Sequence, residues 1–391
     1  MRYRLAAVKF SERPPIRRRR RLVAYLGTCA IGLVTLAPRW VRADSTPDPS
    51  ADAAADTPVD TSGYEERPDV ISFIDEMVAK HGFVRDALLA IFSQASHNDT
   101  VARLMGPVAA AAPTPWSAYE ARFVEPARID AGVRFWQANS GDLQRAAQTY
   151  GVPPEVLVGI LGVETFFGRN TGKFRVLDAL TTLAFDYPDP AHDRSAFFRE
   201  QLENFLVMTR DRSDDVLEIR GSYAGAIGLA QFMPESILKY AVDFDGDGSI
   251  DLRNSASDAI GSIANYLAAH GWVSGLPIYY RSQLVAANPD GLIIGRLVAA
   301  GSEPSLTPAD LRQAGFVFID DVPADTFVAL IDFPDGTNPT RYVLGTRNFF
   351  VLTRYNRSYA YVMAVVELGV AIATQLHNTP SDAALGRENP G

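Results

Sequence analysis

Apolar positions along this chain recur mostly at the three- and four-residue spacing of helices that bury one face. Ile71, Phe73, Ile74, Met77 and Val78, then Leu88, Leu89, Ile91 and Phe92 beyond Gly82, predict two short helices joined near His81 and Gly82. After a spacer at 109–115, residues 116–123, 129–138 and 143–150 continue the pattern. Residues 156–163 are wholly apolar, with Pro153 and Pro154 where prolines start helices and Gly168 where glycines stop them, which predicts a buried helix. Residues 174–185 and 194–210 follow, parted by a turn cluster at 187–190, and 258–270 reads as a compact helix closed by Gly271. Beyond Pro277 the texture changes to short β-prone runs at 278–280, 292–294, 316–318, 327–331 and 341–344. Residues 349–376 close the chain, helical at least over 362–373, and 377–391 reads as a loose tail. The expected architecture is mainly α: an N-terminal helical part (67–150), a core (151–275), a small β-containing segment (276–347) and a closing C-terminal helix (348–376).

Composition adds a leader and an acidic body to that outline. The 391 residues carry a net charge of -9, with 47% hydrophobic and 21% charged residues, ordinary for a folded protein with ample core. Residues 1–43 hold eleven of the 37 Lys and Arg and one of the 46 acidic residues, which leaves 26 basic and 45 acidic residues, a net of -19, beyond them. Such an acidic body argues against a nucleic-acid partner. Arg17 to Arg21 precede an apolar run at 22–37, then Pro38 and Val41-Arg42-Ala43, the pattern of a signal peptide cleaved after Ala43. That predicts export to the periplasm. The single cysteine, Cys29, lies inside the apolar run, so a lipid anchor through Cys29 is the alternative, and cleavage after Ala43 leaves no thiol. Residues 44–66 are rich in Asp, Ala, Thr, Ser and Pro and read as a tether.

Three stretches carry candidate chemistry. Glu164 is a lone carboxylate in the last turn of the apolar helix, where the helix C-terminus and the neighbouring Phe166 and Phe167 favour the protonated acid. A carboxyl kept neutral near pH 7 is what a general acid in glycosidic cleavage requires, and the competing reading is an outward or capping structural acid. Gly221 to Gly228 packs small residues closely together before Gln231, Phe232, Met233 and Pro234, which suits either backbone close to a ligand or tight packing. Asp243, Asp245 and Asp247 at positions 1, 3 and 5, with Gly248 at 6 and Ile250 at 8, reproduce the start of a calcium loop, whereas Asn254 stands where a bidentate Glu belongs. The loop is therefore EF-hand-like and incomplete, or extended to Asp258, or an acidic turn without an ion. No phosphate loop, Ser/His/Asp set or HExxH motif emerges, and the five histidines are scattered.

Together, Gly162-Val163-Glu164-Thr165 with the 176–188 stretch, Gly221 to Pro234 with the Asp243 loop, and Asn348 to Val365 around Tyr355, Asn356 and Tyr361 resemble the membrane-bound lytic murein transglycosylase B family and its soluble relatives. The resemblance spans roughly residues 70–373 and implies a lysozyme-like catalytic core with flanking helical and small β parts. It implies cleavage of the β-1,4 bond between N-acetylmuramic acid and N-acetylglucosamine in peptidoglycan, leaving 1,6-anhydromuramoyl ends. In the implied site Glu164 is acid then base, with Ser222, Gln231, Phe232, Tyr266, Tyr355, Asn356 and Tyr361 lining the glycan cleft. The family's calcium loop would fall on Asp243, Asp245, Asp247, Ser249 through its carbonyl, and Asp258, with Ca2+ structural and no cofactor for catalysis. Arg253 and Glu235 depart from the family pattern without touching Glu164. A hydrolytic muramidase and a catalytically silent peptidoglycan-binding scaffold are the alternatives. Peptidoglycan strands are the expected partner, and cell-wall synthases possible further ones.

Overall fold

A computed structural model describes residues 63–107, 114–285 and 290–378. The leader, Cys29, most of the tether and residues 379–391 lie outside the described residues, while His377 and Asn378 of the expected tail still belong to the helix Tyr359–Asn378. Folded structure begins before residue 67: Tyr64 is buried in a short 3-10 turn, and its hydroxyl donates to Asp186 at 2.5 Å, where Arg67 also bonds. Composition places Tyr64 in the tether because one aromatic residue hardly alters a polar stretch.

The helix Pro154–Thr165 is the centre of the packing. Proline occupies its first turn, and every residue from Val156 to Thr165 is buried. It touches the helices Pro126–Ala138, Ser140–Tyr150, Ala256–Ala269 and, above all, Tyr359–Asn378. That last pairing brings backbone against backbone. A methyl at Gly159 would run into the Val365 carbonyl, and one at Gly369 into the Glu155 carbonyl, so glycine is required on both sides. Tyr359–Asn378 has the length and composition of a membrane span, yet its apolar side is spent on this contact, with Tyr361 to Val365, Leu368 and Ile372 buried.

The helix ends three residues before the expected glycine stop. Phe166 and Phe167 take the left-handed conformation, at φ 51 and 58, and their N–H groups donate back to Gly162 and Leu161. Each such aromatic residue costs about 1–2 kcal/mol. Ring packing offsets this: Phe167 stacks on Phe135 at 5.3 Å, and Phe166 lies within 4.8 Å of the guanidinium of Arg128 and 4.6 Å of that of Arg169.

The β-containing segment has a small core of its own around Tyr280, Leu311, Phe316, Val328, Leu330 and Leu344. Its four antiparallel strands run in the order Phe316–Phe318, Tyr279–Leu284, Asn338–Gly345, Ala329–Asp335. Residues 292–294 are not a strand, as expected, but part of the helix Gly291–Ala299. The Asp290 side chain caps the N–H groups of Leu292 and Ile293, and Ile294 turns into the core while Leu292 stays 76% exposed. The end of the chain is likewise two helices, Arg347–Tyr355 and Tyr359–Asn378, not one.

Candidate active site

Glu164 is 9% exposed, and its Oε1 accepts a 2.6 Å hydrogen bond from the Tyr361 hydroxyl. Burial pushes the carboxyl up to about 7 from its ordinary 4.5, and the Tyr361 hydrogen bond holds it from rising further. Removal from water is the cause, as expected. The side chain in direct contact is Tyr361, while Phe166 and Phe167 are engaged by Arg128, Arg169 and Phe135. Burial, then the nearby Glu164, holds the Tyr361 and Tyr355 phenols well above their usual range, so both remain donors.

Around this pair the rings form one cluster. Tyr361 lies parallel to Tyr355 at 6.5 Å, Tyr355 meets Tyr266 at 5.2 Å and Phe232 at 5.8 Å, and Tyr266 stacks on His270 at 4.1 Å. The Tyr355 hydroxyl donates to the Ala230 carbonyl at 2.5 Å, and that of Tyr266 to the Arg354 carbonyl at 2.7 Å. Phe232 and Tyr361 are buried, and other rings occupy their faces. Both pack into the ring cluster around Glu164.

The small-residue stretch brings a tight turn to the same place. Ser222 closes it, its N–H donating to the Ala226 carbonyl and its Oγ accepting from the Ala226 N–H. Gly228, at φ 73, presses against the Leu252 carbonyl where a side chain would collide. Gln231 sits at φ 48, and its amide donates to the carbonyls of Thr171 and Gly228 at 3.1 and 2.8 Å. Asn356 uses its side-chain oxygen on the Ser358 N–H. Contacts thus join Glu164 with Tyr361, Tyr355, Tyr266 and Phe232, while the bonds of Ser222, Gln231 and Asn356 are to nearby backbone.

Thr165 did not stand out in the sequence. Its hydroxyl donates to the Leu229 carbonyl at 3.1 Å and accepts from the Gly168 N–H at 3.0 Å, fastening the small-residue stretch to the end of the Glu164 helix. Adjacency to Glu164 was its one visible signal.

In the acidic loop, carboxylate oxygens of Asp243, Asp245 and Asp258 lie within 4.8 Å of one another. Loop amides shape them: Gly246 and Gly248 donate to Asp243, and Phe244, Asp245 and Asp251 donate to the buried Asp258. Among the described residues no Lys or Arg pairs with these three acids within 4.0 Å. Three close carboxylates without a cation fit a hard divalent ion. Asp247 stands outside the converging group, accepting from the Ser249 N–H, and Asn254 at the twelfth position donates to Asp251. Arg253 pairs with Asp214 and Glu235 with Lys239.

The transglycosylase SLT domain family matches residues 65–370. The chain is 43% identical over 323 residues to membrane-bound lytic murein transglycosylase B of Escherichia coli (strain K12), covering 79% of this chain and 84% of the relative. Its fold matches the catenated lytic transglycosylase SltB1 from Pseudomonas aeruginosa with a TM-score of 0.74 at 41% identity, over 80% of this chain and 100% of that one. It also matches the Escherichia coli lytic transglycosylase Slt35 in complex with calcium, with a TM-score of 0.71 at 42% identity, over 80% of this chain and 95% of that one. A family match from residue 65 to residue 370, with the mainly α, lysozyme-like fold that the motifs implied, settles the assignment: the chain belongs to the transglycosylase SLT family and is an enzyme of the lytic transglycosylase type.

Proposed function

We propose that this enzyme cleaves the β-1,4 bond between N-acetylmuramic acid and N-acetylglucosamine in peptidoglycan, with Glu164 serving first as acid and then as base. The observation that carries the proposal is the buried Glu164 carboxyl, pushed up to about 7 and bonded to Tyr361. Near neutral pH such a group exists in both protonation states. Protonated, it donates to the glycosidic oxygen as the C1–O4 bond breaks. As carboxylate, steadied by the Tyr361 hydroxyl, it takes the proton from the C6 hydroxyl as that oxygen bonds to C1, which leaves a 1,6-anhydromuramoyl end and uses no water. Burial and the Tyr361 hydrogen bond set the acidity of Glu164, and among the described residues no second carboxylate contributes to it, which favours this route over a two-carboxyl hydrolase.

Ser222, Gln231, Tyr355 and Asn356 are half-buried and supply hydroxyl and amide groups suited to acetamido and ring oxygens. Phe232, Tyr266 and Tyr361 hold that lining in place from beneath. Asp243, Asp245 and Asp258 would hold Ca2+, with Asp247 and the Ser249 carbonyl as further oxygen donors, and the ion would supply loop stability and no chemistry. The basic and apolar N-terminus supports export to the periplasm, with a lipid on Cys29 as the alternative, and cell-wall synthases remain possible partners.

Mass analysis of products released from purified sacculi tests the proposal. Wild type should release anhydromuropeptides, and Glu164→Gln should release none. Reducing-end products would establish the muramidase alternative, and binding without release by wild type would establish the scaffold.

A further inference from the structure

A cavity of about 620 Å³ opens between the end of the helix Ser195–Arg212 and the acidic loop. None of Glu164, Gln231, Phe232, Tyr355 and Tyr361 lines it. Its floor is apolar, made by Met208, Ile219, Ile227, Ile237 and Leu252, each buried. Its rim carries both signs of charge, with Arg212 and Arg253 beside Asp211, Asp214 and Asp251, and it shares Asp243 and Ser249 with the acidic loop. Arg253 is satisfied by Asp214 at 3.1 Å and lies 3.8 Å from Asp251. Arg212 is different. Its guanidinium donates to the Ile250 carbonyl at 3.1 Å, and among the described residues no carboxylate comes within 4.0 Å of it. Burial pulls its pKa down, while Asp214 and Asp251 act on it across the gap.

A cation and an anion that line one cavity without meeting leave room for a ligand carrying the opposite pair. Arg212 offers a planar fork of donors to a carboxylate. Asp214, beyond its bond to Arg253, and Asp251, beyond its bonds to Arg253 and Asn254, offer remaining acceptor positions to an ammonium, and the floor receives an aliphatic chain. The volume lies in the range of small-molecule sites, about 300–1,000 Å³. We propose that this cavity binds the zwitterionic end of an amino acid, an ammonium and a carboxylate on one carbon with an aliphatic arm. A free amino acid and the distal end of a diamino diacid within a peptide share that chemistry. Occupancy would be felt at the active site, because Ile227 exchanges backbone hydrogen bonds with Phe232 and the Leu252 carbonyl accepts from the Leu229 N–H. The site stands apart from the proposed reaction, and turnover is not its readout.

Backbone amide resonances of Ile227 and Leu252 in the purified enzyme report binding. Norleucine should shift them saturably, and hexanoate and pentylamine, each lacking one charge, should bind at least about tenfold more weakly. Arg212→Gln and Asp214→Asn should each weaken norleucine by a similar factor, with Arg212→Lys recovering part of the loss. A peptide with a free diaminopimelate end that binds more tightly than norleucine assigns the peptide source, and one that binds more weakly assigns the free amino acid. Should Arg212→Gln unfold, the comparison of the three small probes on wild type decides alone. Hexanoate or pentylamine binding as well as norleucine, norleucine shifts unchanged in Arg212→Gln, or no saturable shift with millimolar norleucine would overturn the proposal.

Discussion

Replacing Glu164 by Gln should stabilise the protein at alkaline pH while abolishing turnover. Glutamine keeps the volume and leaves a carbonyl oxygen to accept from Tyr361, but it cannot ionise. In wild type the carboxyl rises from its ordinary 4.5 to about 7 on folding. The folded state therefore binds this proton more tightly than the unfolded chain, and stability is lost as pH climbs from 4.5 through 7. At 1.36 kcal/mol per unit, the ionised carboxylate costs about 3 kcal/mol once pH exceeds the folded value. For a chain of this size that is about 6 °C in thermal midpoint. Melting curves of wild type and Glu164→Gln at pH 8 should differ by that amount, with the variant higher. Near pH 4 the difference should fall below about half a kcal/mol, because the acid is then largely protonated in both states. Equal midpoints at pH 8, or a less stable variant there, would refute the claim that burial sets the acidity of Glu164.

Tyr361→Phe removes the one hydrogen bond that opposes burial at Glu164, so the alkaline limb of the activity profile should move up by about one pH unit. A limb that stays or moves down would show that the phenol does not support the carboxylate. Gly159→Ala should destabilise the fold by about 3 kcal/mol in denaturant unfolding, because its methyl meets the fixed Val365 carbonyl, whereas an unchanged midpoint would mean the two helices can part freely. Calcium at a hundred times its dissociation constant should add about 2.7 kcal/mol to wild type, and Asp243→Asn with Asp245→Asn should erase the gain. A chelator that leaves the wild-type melting curve unchanged would count against an ion in the loop.

Local pattern was enough for the Glu164 helix, because prolines mark its start and ten buried positions in a row leave no other period to choose. In the acidic loop, spacing along consecutive residues brought Asp243 and Asp245 into one group with Asp258 but left Asp247 outside it. Local pattern failed where distant packing overrides local preference. Phe166 and Phe167 end the helix in a conformation no propensity favours, held by Phe135, Arg128 and Arg169. Leu292 to Ile294 look β-prone by composition, yet the Asp290 cap makes them helical. Tyr361 lies 197 residues from Glu164, so its bond was beyond any periodicity argument, and only the resemblance placed it in the site. Even there, the family pattern gave no burial: Phe232 and Tyr361 are almost wholly buried.

The backbone contact of Gly159 with Val365, and of Glu155 with Gly369, has a consequence in time as well as in space. Tyr355, Tyr361 and the helix that packs on the Glu164 helix all come from residues 347–378, and Tyr361 follows Glu164 by 197 residues. Until that stretch docks, Glu164 lacks its phenol partner and part of its shelter from water, so its carboxyl ionises more readily. A nascent or truncated chain ending before residue 347 therefore carries the motif without the acidity. The acidity of Glu164 depends on a segment far along the chain being in place.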